Sequence, residues 1–267
     1  MNRLFLLSVS IGIYAAFLFS SCSPTEPKTN VLAKKRCMFV SALSDTGDPR
    51  DVPVINKLLS WELAVTIVSA DSLMTMPTEN FALYDFVFLS ESPNSSLYAP
   101  FKGHPLPIMN IEAWGAIKPN VLNWSPGGSV QNYDALPLIM GNPSVSQLTG
   151  GVAPGKEFKL VDGTDVAGEA HIGFIPTIEN IRIATFKDDT LVMAMILSSG
   201  LDSATYYNAS GGALTVACAV EKGVLLADGV TTTQNRAVTI GIHASSYQFI
   251  TKEAWDMIRA GIEWILK

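Results

Sequence analysis

The feature that most constrains the fold is a regular alternation of strand-like and helix-like segments between residues 37 and 112. After the first strand-like run, Asp51 and Pro53 form a helix-start signal, and apolar residues follow at helical spacing. Strands that alternate with helices at this interval predict an α/β domain with a parallel, doubly wound sheet. The apolar runs with the length of buried strands are Cys37–Ala42, Val65–Ala70, Phe86–Ser90 and Pro107–Ile111.

The alternation breaks down over Asn120–Ser198. Turn signals there, such as Pro126–Gly128 and Lys187–Asp189, separate short strand candidates. The earlier pattern resumes at Arg236–His243, an apolar strand candidate, and Thr251 then marks the start of a last amphipathic helix. We therefore expect a mainly parallel sheet with a β-rich insertion in the second half of the chain.

The N-terminus has the layout of a secretory signal peptide. Arg3 is followed by an apolar run over Leu4–Phe19 and by two serines. Cys22 comes directly after them, and this arrangement resembles the lipobox of bacterial lipoproteins, although Phe19 stands where that motif usually has Leu, Val or Ile. The resemblance implies a signal peptide at 1–21, an acylated Cys22 that starts a tether over 22–34, and membrane anchoring in the bacterial cell envelope.

Two other interpretations of this segment stay open: a plain secretory signal with an incidental Cys22, or an uncleaved membrane anchor. The apolar run is shorter than the roughly 20 residues that a comfortable membrane span needs, which favours cleavage. Ser23, rather than Asp, follows the cysteine. In lipoproteins of the kind that the segment resembles, this is compatible with transport to the outer membrane or the cell surface.

Composition argues against two kinds of partner. The formal net charge is −6 and the basic residues are scattered, whereas nucleic-acid binding favours a concentrated basic face. The three histidines show no metal-ligand spacing, so no metal site is expected.

Cys37 and Cys218 lie in apolar, strand-like runs and are expected to be buried free thiols, although the sequence leaves their pairing open.

Several segments together resemble the ThuA-like (trehalose-utilisation-like) branch of the class I glutamine amidotransferase-like superfamily. The segments that carry the resemblance are Tyr84–Ser92, Leu106–Glu112, Val220–Leu226, Asn235–Val238 and Gly261–Trp264. The resemblance implies a flavodoxin-like fold and one domain over 35–267. Because fold-level similarity carries little information about activity, it implies an architecture more than a reaction.

The chain departs from that superfamily at the residues that matter for its chemistry. Glutamine amidotransferases place a cysteine nucleophile at a sharp turn after a central strand, but the matching turn here, Asn110–Gly115, has no cysteine or serine. Asn142-Pro143 stands where many ThuA-like chains have His-Pro. Amidotransferase activity is therefore not expected.

The candidate site follows from the strand order. In an open parallel sheet, ligands bind at the carboxyl ends of the strands. We expect Glu91 and Glu112 to share a cleft there as an acid/base pair, with His243 as a proton carrier and with Trp114 and Tyr98 as walls. The predicted ligand-binding residues are Asp45, Thr46, Ser90, Ser92, Asn110 and Trp114. A simpler alternative is that both glutamates begin helices and interact with the helix dipole.

No cofactor is expected. The loop Ser44–Asp48 lies where flavodoxins hold a flavin phosphate, but its two aspartates would repel a phosphate. Two functional classes follow from the whole pattern. The first is an envelope-anchored module that binds a small molecule or a glycan. The second is a carbohydrate-active enzyme that uses Glu91, Glu112 and His243.

Overall fold

One sheet runs through the part of the chain that the structure describes. The computed structural model describes residues 30–118, 120–124, 139–141, 147–153, 156–163, 181–186 and 215–267. The strands are β1 (Arg36–Ser41), β2 (Ala64–Ser69), β3 (Phe86–Leu89), β4 (Ile108–Asn110), β5 (Ile139–Gly141), β6 (Glu157–Phe158), β7 (Ile181–Phe186), β8 (Thr215–Val220) and β9 (Ala237–Ile240).

The parallel part of the sheet has the flavodoxin-like order β2-β1-β3-β4-β9. All four pairings within it are parallel, including the pairing of β4 with the distant β9. The four apolar runs of the first half form β1 to β4, with ends that differ from the predicted ones by at most one residue. The predicted α/β, flavodoxin-like fold is therefore confirmed.

The second half of the sheet is antiparallel. Strand β8 pairs antiparallel with β9, and the order continues through β7 and β5 to β6. Most of the segment 120–198, on which the predicted β-rich insertion falls, lies outside the described residues, as does Asn142-Pro143. The insertion therefore stays a prediction.

Helices cover both faces of the sheet. The α-helices are α1 (Val52–Ser60), α2 (Ala70–Leu73), α3 (Thr78–Phe81), α4 (Ala113–Ile117) and α5 (Lys252–Ile265). Short 3-10 helices span Pro49–Asp51, Ser95–Phe101 and Ala244–Phe249. Apolar residues of α1 and α5 are buried against one face, and those of α2, α3 and α4 against the other. This two-sided cover explains why the parallel strands are apolar at nearly every position.

The last helix begins where the sequence predicts. The hydroxyl of Thr251 accepts a hydrogen bond from the backbone N–H of Ala254 at 3.1 Å, which caps α5. Gly261 lies directly against the sheet, because a Cβ added there would be 3.1 Å from the Val238 side chain. Helix α5 therefore packs closely on β9, the strand that leads into part of the candidate site.

The cysteines Cys37 and Cys218 are buried and free. Their side chains lie in different apolar clusters, one on each face of the sheet, so the pair does not form a disulfide. Burial raises the pKa of the Cys218 thiol to about 12 and that of Cys37 well above its ordinary value. Both thiols are therefore unreactive packing groups, as expected from their sequence context.

The described part of the chain contains no helix with the length and apolar character that crossing a membrane requires. Residues 1–29, which include Cys22 and the predicted signal peptide, lie outside the described residues. From Leu32 to Lys267 the chain forms one compact unit.

Candidate functional site

Polar side chains meet at the carboxyl ends of β1, β3, β4 and β9. These strands are parallel neighbours, so the segments that follow them lie at the same edge of the sheet. This edge includes the switch point between β1 and β3, from which the chain order runs in opposite directions. Open α/β sheets bind ligands at such points.

Glu91, directly after β3, lies between two groups from the segment after β9. The backbone N–H of Ala244 donates a hydrogen bond to Oε2 of Glu91 at 2.8 Å, and Nε2 of His243 lies 3.4 Å from Oε1. The side chain of Glu91 is 16% exposed. Burial raises its pKa from 4.5 to about 7, against the hydrogen bond from Ala244 and the attraction of Arg50. Glu91 is thus a partly accessible carboxyl that ionises near neutral pH.

Glu112, after β4, lies deeper. It is 2% exposed, and its Oε1 accepts a hydrogen bond from the backbone N–H of Trp114 at 2.6 Å, which caps α4. Burial raises the pKa of Glu112 to about 8, and repulsion from Glu91 adds to the rise. The two predicted glutamates therefore interact electrostatically, while the simpler alternative of a helix-capping role also holds for Glu112.

His243 is oriented from both sides of its ring. Its Nδ1 accepts a hydrogen bond from the backbone N–H of Ser245 at 3.3 Å and lies 3.0 Å from the Ser245 hydroxyl. Because Nδ1 accepts a backbone N–H, the proton of the neutral ring is on Nε2, the atom that faces Glu91. His243 also caps the 3-10 helix Ala244–Phe249. The ring is held in one tautomer and one orientation.

Asp51 is a site residue that the sequence analysis missed. Helix α1 begins directly after it, as the helix-start signal of Asp51 and Pro53 predicts, but its side chain makes no capping bond and is fully buried. Its carboxylate accepts hydrogen bonds from the hydroxyls of Ser41 and Ser92 at 2.6 Å each, and from that of Ser90. Burial raises the pKa of Asp51, although all three hydroxyls oppose the rise. Through these hydrogen bonds, Asp51 links the carboxyl end of β1 to the segment that follows β3.

Two buried tyrosines hold the turn that carries Glu91. The hydroxyl of Tyr247 accepts a hydrogen bond from the backbone N–H of Glu91 at 2.8 Å, and it lies 3.3 Å from the Ser90 hydroxyl. The hydroxyl of Tyr98 donates to the carbonyl oxygen of Ser90. Tyr98 is fully buried, so the expectation that it forms a wall of the cleft is wrong. Only the packed structure reveals these contacts, because no local pattern marks a tyrosine whose partner is distant in sequence.

The other predicted ligand-binding residues have different surroundings. Trp114 is 40% exposed, with the ammonium group of Lys118 6.0 Å from its ring, so it is accessible. Asn110 is fully buried, and its amide donates to the Glu112 carbonyl oxygen and to the Thr239 hydroxyl. It therefore supports the site and does not face a ligand.

Ser90 and Ser92 also point inward, toward Asp51, and Ser90 is fully buried. The prediction that Ser90 contacts a ligand is therefore wrong. Asp45 and Thr46 are exposed in the loop after β1. Among the described hydrogen bonds and ion pairs, none links either residue to Glu91, Glu112 or His243.

A groove of about 440 Å³ lies at the opposite, amino end of the parallel strands. Its lining includes Phe81, Tyr84, His104 and Asn235. The polar groups here bind the protein itself: Nδ1 of His104 accepts the backbone N–H of Leu106, and the amide of Asn235 donates to the Pro105 carbonyl oxygen. The groove also holds His104 and Asp85, whose pKa values are lowered, whereas the carboxyl groups whose pKa values are raised lie at the other end of the strands.

Within the described ranges, no group of three or more His, Cys, Asp or Glu side chains could hold a metal ion. The arrangement at the carboxyl ends can instead exchange protons with a bound molecule and hydrogen-bond to it. Neither the protein-family models nor the curated proteins compared with this chain match it.

Proposed function

We propose that this chain is a bacterial envelope lipoprotein, acylated at Cys22, whose ThuA-like α/β domain binds a small polar molecule or glycan at the Glu91–His243 edge. The observation that carries the binding site is the partly exposed Glu91 carboxylate between His243 and the Ala244 backbone, at the switch point of a parallel sheet. A ligand that fills this edge contacts a carboxylate and an imidazole that are already in place.

The chemistry of the edge favours a polyhydroxylated ligand. A carboxylate accepts hydrogen bonds from sugar hydroxyls, and the exposed indole of Trp114 offers a flat apolar surface. The Glu91 side chain is held by Ala244 and His243, so little conformational entropy is lost when it accepts a further hydrogen bond. These features support binding without requiring a reaction.

The binding proposal can be tested by titrating the chain with monosaccharides and disaccharides and following tryptophan fluorescence. We expect Glu91→Gln to weaken binding at least about tenfold, equivalent to about 1.4 kcal/mol, because an anionic acceptor is lost. Glu79→Gln, on the exposed surface of α3, is the matched control and should bind like the wild type. Equal affinity in both variants, or no binding at millimolar sugar, would contradict the proposal.

The lipid anchor has a separate test. In a bacterial host fed an alkyne fatty acid, the wild type should take up the label and fractionate with membranes. Cys22→Ser should lose the label, whereas Ser23→Ala keeps the thiol and should be labelled normally. A wild type that is cut near residue 22 but carries no lipid would show a plain secretory signal instead.

A second candidate is a carbohydrate-active enzyme in which Glu91 and Glu112 act as an acid/base pair with His243. The observation that favours it is that burial places the pKa values of the two carboxyls at about 7 and about 8, where proton transfer is efficient at neutral pH. Turnover of aryl glycosides that is lost in both Glu91→Gln and Glu112→Gln would support this enzyme. Sugar binding without turnover in the wild type would support the binding module.

A further inference from the structure

We propose that Ser245 is a nucleophile, with His243 as its general base and Glu91 as the residue that orients His243. The proposal rests on the location of the site described under the proposed function, and it adds covalent chemistry to it. The turn after β4, where the amidotransferase resemblance would place a nucleophile, has none. In this proposal the segment after β9 supplies it.

The three side chains form a continuous line. The hydroxyl oxygen of Ser245 is 3.0 Å from Nδ1 of His243, and Nε2 of the same ring is 3.4 Å from Oε1 of Glu91. A nucleophile, a base within hydrogen-bond reach and a third group that orients the base are the parts that define such a site, whatever the fold. In the chymotrypsin-type arrangement the serine hydroxyl faces Nε2 and the carboxylate faces Nδ1. Here the hydroxyl faces Nδ1 and the carboxylate faces Nε2.

The orienting residue is itself held firmly. Tyr247 accepts the backbone N–H of Glu91, while Ala244 donates to its carboxylate. Both belong to the 3-10 helix that also contains Ser245, so one short segment positions the nucleophile and the residue that orients its base. Tyr247 is in turn next to Ser90, which donates to the buried Asp51. These hydrogen bonds hold the three side chains in fixed positions, which is what preorganised catalysis needs.

Access separates Ser245 from two of the other serines at this edge. Ser245 and His243 are both partly exposed, whereas Ser41 and Ser90 are fully buried and donate to Asp51. Ser92 is also half-buried, but its hydroxyl donates to Asp51 and not to a histidine. Ser245 therefore combines exposure to solvent with a neighbouring imidazole.

The reaction that fits is hydrolysis of a carboxylic ester. Ser245 Oγ bonds to the ester carbonyl carbon as its proton moves to His243 Nδ1, the C–O bond to the alcohol then breaks, and the alcohol leaves with that proton. Water attacks the acyl-serine, giving its proton to His243, and the carboxylic acid leaves as Ser245 regains a proton. Atoms and charges balance with water as the only co-reactant.

The charged groups near Glu91 favour one kind of ester. Asp51 and Asp48 raise the pKa of Glu91 and Arg50 lowers it, so acidic groups outnumber basic ones here. An anionic phosphate or sulfate ester is therefore disfavoured. A neutral ester of a hydroxylated alcohol, such as an O-acylated sugar, avoids this repulsion.

The test is covalent labelling of the whole chain with a fluorophosphonate, followed by intact mass measurement and peptide mapping. We expect one adduct on the wild type, located at Ser245, and none on Ser245→Ala. Ser44→Ala, in the exposed loop after β1, is the matched control and should be labelled like the wild type. An adduct that maps to another residue, or a wild type that takes no label, would overturn the proposal.

A second variant separates catalysis from helix capping, because the Ser245–His243 contact also caps the 3-10 helix. His243→Asn keeps a good capping acceptor but removes the imidazole base. We expect its labelling rate to fall about 100-fold, together with loss of the rise in rate with pH that a neutral histidine base produces. Labelling at the wild-type rate in His243→Asn would show that His243 only caps the helix.

The labelling experiment tests the nucleophile separately from the proposed sugar binding. Sugar binding by a wild type that takes no label would leave the binding site in place and overturn only the nucleophile. Labelling at Ser245 in a chain that binds no sugar would support the nucleophile and contradict the proposed ligand.

Discussion

The two ends of the parallel strands differ in how deeply their charged side chains are buried. At the carboxyl end, carboxyl groups of like charge are buried together: Glu112 is 2% exposed and Asp51 fully buried. At the amino end, a groove of about 440 Å³ is lined by aromatic and polar residues, and the nearby ion pair of Arg36 with Asp85 has side chains that are 51% and 28% exposed. The carboxyl end therefore buries its acidic groups, whereas the amino end leaves its ion pair partly in solvent.

The difference lies in burial and in the sign of neighbouring charges. Burial tends to raise the pKa of Asp85, but hydrogen bonds from Arg36 outweigh it and hold the pKa below its ordinary value. For Glu91 and Glu112 burial dominates, and both values move up. Buried carboxyl groups with few cationic partners therefore distinguish the carboxyl end from the amino end, and such groups mark candidate functional sites.

The largest expected effect is a fall in stability with rising pH that comes from the two glutamates at the carboxyl end, whereas the lowered pKa of His104 at the amino end acts in the opposite direction. Glu91 and Glu112 have folded-state pKa values of about 7 and 8, above their ordinary 4.5. Their stabilising contribution is complete below about pH 4.5 and is lost as the pH rises through those values. We expect the free energy of unfolding to fall by on the order of 1 kcal/mol per pH unit for each glutamate, from pH 5 to about 7 for Glu91 and to about 8 for Glu112.

Thermal or chemical unfolding at several pH values measures this slope. Glu91→Gln and Glu112→Gln should each flatten it, whereas Asp85→Asn should not, because the pKa of Asp85 is lowered and acts only in more acidic solution. If Asp85→Asn changed the pH dependence of stability as much as the glutamate variants do, the two ends of the strands would not differ in this respect.

A comparison of Asp51→Ala with Asp85→Ala gives the next largest difference. Removing the Asp51 carboxylate leaves three serine hydroxyls without their acceptor, two of them fully buried. We expect a loss of about 3 kcal/mol in the free energy of unfolding by urea denaturation. Asp85→Ala breaks a solvent-screened pair and should cost less than about 1 kcal/mol. Similar losses for both would mean that burial is not what separates the ends.

A smaller effect is expected when Tyr247 is replaced by Phe. The change removes the hydroxyl that accepts the Glu91 backbone N–H and should cost about 1 to 2 kcal/mol. Tyr84→Phe in the amino-end groove is the control and should change stability by less than about 0.5 kcal/mol. Denaturant titrations of the two variants provide the measurement, and a neutral Tyr247→Phe would show that the Glu91 turn is held without this bond.

The smallest effect belongs to Arg36→Ala. Because half of the Arg36 side chain is exposed, its pair with Asp85 should contribute less than about 0.5 kcal/mol, and added salt should reduce that contribution further. Unfolding at low and high ionic strength tests this. A large, salt-independent loss would show that the amino end also relies on desolvated charge.

Local patterns predicted much of the scaffold. Short apolar runs separated by helix signals identified β1 to β4, and Thr251 marked the start of α5, because both depend on neighbouring residues alone. The same reasoning placed Glu91, Glu112 and His243 at strand ends that share an edge. The same reasoning did not identify Asp51, because a helix-start signal gives no indication that the carboxylate is buried. It did not identify Ser245 either, because the proposed role of that residue depends on the orientation of His243.

What the sequence determined by itself is the succession of parallel strands and the polar residues that end them, since apolar spacing is a local property. The tertiary structure alone decided which of those residues meet. The return of β9 beside β4 brings His243, Ala244 and Tyr247 to Glu91 across more than half of the chain. It also decided which carboxyls lose water, because burial depends on the packing of both faces, and that loss of water raises their pKa values.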